Sequence, residues 1–417
     1  MHSLSLLVGL MLTAPIAQAE PPRLLMISVD GLRADYLTEA DRYGLKIPTL
    51  RRLASDGVLG RRMIGIFPSV TYPSHVTLIT GHPPAGHGIV ANERFLPLND
   101  GRTDWYYHAR DITCATLIDA FAEAGRRTAG VAWPVTVGAR LDDNFPEIWD
   151  AGDFDGTFLI RSRAAATPGL LEAAERKYAF TMSLDSIDAH KNLLARFIIT
   201  ERKPDLLLLH YTEHDKKQHI HGPGTPEAFA SLEATDRLIA DILDAYAEAG
   251  LAENLVIAVV SDHGFEKVQH EFRPNALLRQ AGLIEYDAAS RSIRDWKVKV
   301  WVTGAAAAVM VKDPADTASL DAARKLFERY TGRDDSPIGR ILGPDEIRAL
   351  GANPKAAFMF DAGPGWTFGS SCSGVPFGPS RAKGMHGQHP DRPEMAAGLI
   401  LSGPGIPKGK VLETVRM

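Results

Sequence analysis

The sequence predicts an α/β fold with a mostly parallel central sheet and helices on both of its faces. Three features indicate it: short apolar segments recur along the chain, segments of helical period separate them, and polar residues follow several of the apolar segments. Continuous apolar runs are typical of strands buried on both faces, and alternating strands and helices favour a parallel sheet. With 417 residues, 45% of them hydrophobic, the chain can bury a large core.

Five apolar segments are predicted to form strands. Each is a run of Leu, Ile, Val or Ala that ends in polar or turn residues. The fourth segment has a glycine in its middle, Gly304, and reads as two strands. In chain order the segments are Arg23 to Asp30, Asp205 to Asp215, Asn254 to Gly264, Val300 to Asp313 and Met395 to Gly405.

Five further segments have the pattern of helices. The clearest begins after Thr225, a typical N-cap residue, has Pro226 at its first position and stops at Gly250. The predicted helices are Ile112 to Glu123, Ser186 to Thr200, Pro226 to Glu248, Asp321 to Tyr330 and Pro344 to Leu350.

The chain is predicted to be a signal peptide over residues 1–19 followed by a single domain over residues 20–417, with an insertion at about 266–381. Leu4 to Ile16 is apolar but too short to span a bilayer comfortably, and Ala17-Gln18-Ala19 fits a cleavage site. No later segment looks transmembrane. We therefore expect a periplasmic or secreted protein.

The net charge and the cysteine content exclude few classes of function. A net charge of −5 argues against a nucleic-acid scaffold, which is usually basic, but not against a small anionic substrate. An oxidising compartment would permit a disulfide between Cys114 and Cys372, and two free thiols are an equally open alternative.

Carboxylates and imidazoles follow successive predicted strands. Ligands in open α/β sheets bind beyond the carboxyl ends of the strands, and oxygen and nitrogen donors without thiolate suit zinc, with manganese, iron or cobalt as alternatives. Taken singly, each residue is more typical of a turn or a cap. Together they exceed what one catalytic zinc takes, which predicts two metals and phosphate-ester chemistry. The residues are Asp30, Asp215, His219, Asp262, His263 and His386.

Thr71 lies between Pro68 and Pro73 in the segment IFPSVTYPSHVTLITGH. Pro73 suits the first position of a helix running to Thr80, with Gly81 as its stop. Thr71 then stands at a helix entry, where backbone N–H groups attract anions. The simpler interpretation is an N-cap; the functional one is a nucleophile activated by a metal.

The motifs FPSVTYPSH, GHGIVAN, HYTEHDKKQHIHGP, SDHG and GMHGQHPDRPEMAAGLILSGPGI resemble those of the nucleotide pyrophosphatase/phosphodiesterase family, a branch of the alkaline phosphatase superfamily. The resemblance covers about Leu24 to Gly405. It implies an alkaline-phosphatase-like three-layer sandwich and two zinc ions. By similarity, one zinc is held by Asp215, His219 and His386, and the other by Asp30, Asp262, His263 and the nucleophile Thr71.

The resemblance also implies roles around the metals. Asn92 matches the asparagine that donates a hydrogen bond to a phosphoryl oxygen, and Tyr72 matches an aromatic residue that stacks on a base. His210 stands where many relatives have a tyrosine that lines the nucleoside pocket. Relatives continue beyond the final KGKVLETVRM, and the resemblance leaves open whether the C-terminus is truncated. Structural or orienting roles are expected for His75, His82, His87, His214 and His221.

The hypothesis is an exported two-zinc phosphodiesterase or nucleotide pyrophosphatase that acts through a phospho-threonine intermediate on a small phosphodiester or nucleotide-like substrate. The alternatives are a phosphomonoesterase or phosphonate hydrolase on the same two metals, or a metal-binding protein without turnover. A sulfatase is unsuited, because its Cys/Ser-x-Pro-x-Arg signature is replaced by Thr71-Tyr72-Pro73-Ser74-His75. The sequence indicates no oligomeric state.

Overall fold

The structure is a computed structural model that describes residues 21–98, 100, 104–149, 157–290 and 292–417. The signal peptide predicted over residues 1–19 lies outside the described residues. Over the part that is described, no helix combines the length and the apolar character needed to cross a membrane.

The strands fall into three groups along the chain. The first group is β1 (Arg23–Val29), β2 (Val58–Ile64), β3 (Thr128–Val131), β4 (Asp143–Phe145), β5 (Leu206–Tyr211) and β6 (Leu255–Val260). The second is β7 (Glu266–Phe272), β8 (Ile284–Asp287), β9 (Ser292–Trp296), β10 (Val298–Thr303), β11 (Ala306–Val311), β12 (Ile338–Leu342), β13 (Phe358–Ala362), β14 (Gly365–Phe368), β15 (Phe377–Pro379) and β16 (Gly384–Met385). The third is β17 (Ala397–Ser402), β18 (Lys410–Leu412) and β19 (Val415–Arg416).

The helices lie between these strands. They are α1 (Ala34–Thr38), α2 (Pro48–Ser55), α3 (Thr71–Thr80), α4 (Pro84–His87), α5 (Leu117–Glu123), α6 (Thr157–Ala165), α7 (Leu170–Tyr178), α8 (Ile187–Phe197), α9 (Glu213–His221), α10 (Pro226–Glu248), α11 (Pro274–Gln280), α12 (Thr317–Glu328) and α13 (Pro344–Ala349). A π-helical turn, Ile198–Arg202, extends α8, and 3-10 turns occupy Ala109–Asp111 and Pro393–Met395.

The central sheet has nine strands in the order β18-β2-β17-β6-β1-β5-β3-β4, with β19 also paired to β2. Strands β6, β1, β5, β3 and β4 run parallel to one another. The reversed strand is β17, which is antiparallel to both β6 and β2. The predicted mostly parallel sheet is therefore confirmed.

Helices cover both faces of the sheet, as predicted. Alternate residues of a strand point to opposite faces, so Ile27 and Leu209 pack on one side against helices such as α8, which contributes Leu194. Met26 points to the other side and packs with Ile79 of α3. The result is a three-layer arrangement in which α3 lies on the face opposite α8 and α10.

A second lobe, residues 266–385, has sheets of its own. Strands β10, β11, β13 and β12 form an antiparallel sheet in that order, and β14, β15 and β16 pair with β7. A separate buried cluster that includes Phe272, Val300, Phe327 and Phe360 fills this lobe. The single domain with an insertion at about 266–381 stays a prediction.

The predicted strands are confirmed as β1, β5, β6, β10 with β11, and β17, and Gly304 adopts the positive φ of +63° that the turn between β10 and β11 requires. The helix from Pro226 to Glu248 has the predicted bounds. Two helices do not begin where they were predicted to begin, because their N-cap residues are Thr116 for α5 and Asp316 for α12. Cys114 and Cys372 are both free thiols.

Candidate active site

Helix α3 begins at Thr71 itself and not at Pro73. The residue before it, Val70, is extended and offers no side-chain cap, so Thr71 is the first helical residue and not the N-cap. Its side chain is buried, and its Oγ1 atom lies 3.4 Å from Nε2 of His263. The Thr71 hydroxyl therefore faces the metal-compatible residues and does not cap the helix.

Three neighbouring strands deliver the carboxylates to one edge of the sheet. Asp30 follows β1, Asp262 follows β6, and Asp215 is the third residue of α9, directly after β5. At the turn after β1, Gly31 has a φ of +69° and its N–H donates to Oδ1 of Asp262 at 3.1 Å. A Cβ at Gly31 would lie 2.9 Å from the Gln218 side chain, so glycine is needed there.

The reversed direction of β17 explains how His386 reaches the same edge. Because β17 is antiparallel to β6, it begins where β6 ends, and the N–H of Ser261 donates to the Gly398 carbonyl. The loop that precedes β17 therefore returns to the carboxyl ends of the parallel strands. That loop carries His386.

The predicted ligands form two groups that lie side by side. Nε2 of His263 lies 3.3 Å from Oδ1 of Asp30 and 3.0 Å from Oδ2 of Asp262. Asp215 lies 3.4 Å from Nε2 of His219 through one oxygen and 3.8 Å from Nε2 of His386 through the other. The rings of His263 and His386 stack with centroids 3.5 Å apart. Two sets of three residues lie close enough to hold one ion each: Asp30 with Asp262 and His263, and Asp215 with His263 and His386. His263 thus belongs to both sets, whereas His219 contacts Asp215 but belongs to neither.

Each of the three histidines is held by its second ring nitrogen. Nδ1 of His263 pairs with the carbonyl of Gly264, that of His219 with Gly384 and that of His386 with Ser69, all at 3.0 Å. A carbonyl can only accept, so each Nδ1 carries the proton and each Nε2 is left as a donor atom for a metal.

Three carboxylate oxygens of the site are buried without a hydrogen-bond donor among the described residues: Oδ1 of Asp30, Oδ1 of Asp215 and Oδ2 of Asp262. Buried acceptors of this kind are costly unless something binds them. Burial, with the charges of Asp262 and Asp215, raises the pKa of Asp30 well above its usual value. Burial and the neighbouring His263 lower the pKa of His386 well below its usual value. A divalent cation would favour the charged carboxylate and the neutral imidazole, so these residues fit a metal centre.

Asn92 lies beside the start of α3. Its Oδ1 accepts a 2.8 Å hydrogen bond from the backbone N–H of Tyr72. Because that N–H can only donate, the amide orientation is fixed and the Nδ2 group is left to donate elsewhere. The N–H of Tyr72 is in turn bonded to Asn92, and the anion-binding backbone N–H expected near Thr71 stays a prediction.

Tyr72 does not lie where a base could stack on it. Its side chain has no exposed surface and packs edge-on against Trp105 at 4.9 Å in a cluster with Val76 and Ile89. Because α3 begins at Thr71, the next side chain turns inward. The structure therefore corrects the prediction that Tyr72 contacts the substrate.

His210 is also not at the surface of the site. It is fully buried, with Nε2 3.1 Å from Oδ2 of Asp30 and Nδ1 3.1 Å from both Glu147 and the Ala132 carbonyl. The prediction that His210 binds substrate is wrong in this structure, because it lies behind Asp30.

Three of the five histidines expected to have structural or orienting roles contact residues nearby. His75 contacts the Thr71 carbonyl, His87 pairs with Thr77, and His214 pairs with Ser231 and the Ala228 carbonyl. All three are buried, whereas His82 and His221 are exposed.

The sequence did not single out Glu147 or Asp188. Glu147 follows β4 and contacts His210, and Asp188 accepts from backbone N–H groups at the start of α9. The only sequence signal for Glu147 was a carboxylate inside the apolar segment FPEIW, and Asp188 looked like an ordinary residue of the first turn of a helix.

Known proteins share the sequence pattern and the fold of this chain. A family model described as type I phosphodiesterase / nucleotide pyrophosphatase matches residues 24–388. The chain belongs to this family. Solved structures of member 5 of the ectonucleotide pyrophosphatase/phosphodiesterases share its fold. The mouse protein has a TM-score of 0.65 at 20% identity and covers 94% of this chain and 91% of its own, and the human protein has a TM-score of 0.66 at 18% identity, with 94% and 91% covered. The predicted alkaline-phosphatase-like fold is confirmed.

Curated relatives of this chain match over shorter spans. Mouse ectonucleotide pyrophosphatase/phosphodiesterase family member 1 is 25% identical over 259 residues, which are 60% of this chain and 25% of that protein. Human bis(5'-adenosyl)-triphosphatase ENPP4 is 26% identical over 260 residues, 60% of this chain and 49% of that protein. The chain thus spans about a quarter to a half of the length of these relatives.

Proposed function

We propose that this phosphodiesterase-family protein hydrolyses phosphodiester or pyrophosphate bonds through covalent attack by Thr71. The observation that carries the proposal is the position of the Thr71 hydroxyl, at the first residue of a buried helix and 3.4 Å from His263. His263 in turn lies within 3.3 Å of oxygens of Asp30 and Asp262. A threonine that only stabilised a helix would cap it, and Thr71 does not.

The proposed metals are two zinc ions, because the donors are carboxylates and imidazoles without thiolate. Asp30, Asp262 and His263 would hold one, and Asp215, His219 and His386 the other. When bound, divalent ions would lower the pKa of the Thr71 hydroxyl and offset negative charge on the phosphoryl group.

Thr71 would act in two steps. Its Oγ1 forms a bond to phosphorus while the bond to the leaving oxygen breaks, which gives a phospho-threonine. Water then displaces Oγ1 and regenerates the enzyme. The Nδ2 group of Asn92 would donate to a phosphoryl oxygen in both steps, since Tyr72 already holds the other end of the amide.

A nucleotide-like diester is the proposed substrate class. ENPP4 is a bis(5'-adenosyl)-triphosphatase by name, and an inactive variant of mouse member 5 has been solved in complex with AMP. A monoester dianion would call for an additional cation. The nearest candidate in sequence, Arg94, is already paired with Asp104 and Asp111 and stacks on Tyr106.

The first test replaces the nucleophile. Thr71→Ala is expected to lower kcat at least about a thousandfold, because the covalent step is lost, while two zinc ions still bind. Thr80→Ala is the matched control, since Thr80 lies at the other end of the same helix, where its hydroxyl donates to the Val76 carbonyl and accepts from the N–H of His82. Retained turnover in Thr71→Ala would exclude the nucleophile role. If Thr71→Ala lost zinc, its lower rate would reflect a disrupted site and not the missing hydroxyl.

The second test fixes the ester class. Rates on a nitrophenyl phosphodiester and a nitrophenyl phosphomonoester are compared with the same zinc-loaded protein, and the diester is expected to react faster. A faster monoester would move the protein to the phosphatase or phosphonate alternatives. Zinc binding with no turnover of either ester would favour a metal-binding protein. Export to the periplasm or outside the cell stays a prediction.

A further inference from the structure

Behind the metal-compatible residues lies a buried chain of three side chains: Glu147, His210 and Asp30. His210 stands between the two carboxylates, at 3.1 Å from Oε2 of Glu147 and 3.1 Å from Oδ2 of Asp30. His210 is 0% exposed, Asp30 4% and Glu147 9%. Carboxylates so far from water are costly unless they have hydrogen-bond partners.

Both ring nitrogens of His210 face acceptors. Nε2 faces a carboxylate, and Nδ1 faces a carboxylate and the carbonyl of Ala132. The ring is also clamped by its neighbours, since His75 packs against it with centroids 4.3 Å apart. Contacts with Glu147, Asp30 and His75 therefore fix the orientation of the imidazole.

The backbone at Ala132 has a conformation that is unusual for its residue type. Ala132 has a φ of +55°, in the left-handed region that residues with a Cβ rarely adopt. Its N–H is bonded to the Phe145 carbonyl, and its own carbonyl faces His210. Strain of this kind persists where the surroundings over-determine it and is a pointer to a functional position.

The consequence falls on the two oxygens of Asp30. His210 occupies Oδ2, while Oδ1 is buried without a hydrogen-bond donor among the described residues and lies 3.3 Å from Nε2 of His263. Oδ2 of Asp30 is therefore held by His210, and Oδ1 points toward His263 at the centre of the site.

We propose that Glu147 and His210 are positioning residues that hold Asp30 as a single-oxygen metal ligand, with Glu147 acting through His210. The proposal rests on the metal centre of the proposed function. Partners that orient a metal ligand change metal affinity by about 10- to 100-fold when they are removed. A purely structural role would change stability and leave the affinity of the folded protein unaltered.

A double-mutant cycle tests the proposal with Zn²⁺ as the probe. Zinc dissociation constants are measured by competition with a chelating dye for the unmodified chain, Glu147→Gln, His210→Phe and the double variant, and the melting temperature of each zinc-free protein is recorded. His210→Phe is expected to weaken one zinc site about 10- to 100-fold and the other less than threefold. Glu147→Gln is expected to weaken the same site about tenfold, and to have no further effect once His210 is Phe.

Glu175→Gln is the matched carboxylate control, because Glu175 is also largely buried but pairs with Arg163 and the Met182 N–H on the helical layer. Unchanged zinc affinity in folded Glu147→Gln or His210→Phe would overturn the proposal, and additive effects in the double variant would remove the claim that Glu147 acts through His210. If His210→Phe fails to fold, the isosteric Glu147→Gln decides. No zinc binding by the unmodified chain would instead overturn the proposed metal centre.

Discussion

At the scale of single residues, hydrogen bonds fix the protonation state of buried His87. The N–H of Ile89 donates to its Nδ1 at 3.2 Å, so Nδ1 must be unprotonated, and Nε2 lies 3.0 Å from the Thr77 hydroxyl. Burial and the nearby His82 lower the pKa of His87 from 6.5 to about 4. The neutral ring is therefore part of the folded structure.

This geometry predicts a loss of stability in acid. The unfolded chain takes up a proton at His87 below pH 6.5 and the folded chain only near pH 4, so the free energy of unfolding falls between these values, by about 3 kcal/mol at most, and no further below pH 4. Urea unfolding of zinc-free protein from pH 7 to 4 measures it. In His87→Gln the fall is expected to be smaller by this amount, and parallel curves for the two proteins would contradict the prediction.

At the scale of elements, helix α9 is capped by a neighbouring helix. Asp188 of α8 accepts hydrogen bonds from the N–H groups of Thr212 and Glu213, at 3.0 and 2.8 Å, and pairs with Lys191 at 3.2 Å. Asp188 and Lys191 are each 3% exposed. Since α9 carries Asp215, this buried pair fixes the helix that delivers a predicted metal ligand.

Asp188→Asn is expected to destabilise the protein by about 3–5 kcal/mol, because the buried Lys191 ammonium loses its counter-charge. Adding Lys191→Met should recover much of that loss, since the uncompensated charge is gone. Urea unfolding of zinc-free protein gives both values. Glu201→Gln, which breaks an exposed pair with Lys177, serves as control and should cost less than about 1 kcal/mol. An equal effect of both carboxylate changes would refute the cap.

At the scale of the whole molecule, the second lobe holds two parts of the site. The N–H of Ala305, in the turn between β10 and β11, donates to the His386 carbonyl at 2.8 Å. Phe95 of the loop after Asn92 packs between Trp296 and Trp301, with centroids 5.7 and 5.6 Å away. The lobe therefore positions His386 and the loop that carries Asn92, and none of the predicted site residues lies in its described part.

Phe95→Ala is expected to lower kcat/KM by about 10- to 100-fold, because the loop that carries Asn92 loses its anchor and small displacements of a catalytic group are costly. Zinc affinity should not change, since the loop holds none of the predicted ligands. Phe377→Ala, on β15 and 37% exposed, is the matched control. The prediction fails if both variants behave alike or if Phe95→Ala loses zinc.

The sequence predicted the strand ends well and the inward-facing contacts poorly. Residues at the carboxyl ends of adjacent parallel strands meet at one edge whatever the loops do, so Asp30 and Asp262 could be grouped without coordinates. The direction of Tyr72 depends on where α3 begins, which no pattern fixed. His210 and Glu147 are 63 residues apart, and their pairing depends on the placement of β3 between β4 and β5.

The reversal of β17 has a consequence for the order of assembly. The loop that carries His386 is held at the site partly by the pairing of β17 with β6, which are far apart in the chain, whereas Asp30 directly follows the first strand. A partly folded chain would thus hold an incomplete set of donors, and capture of a metal would come late. Once bound, the metal would cross-link segments far apart in the chain, so unfolding would require its release and metal supply would set the lifetime of the folded protein.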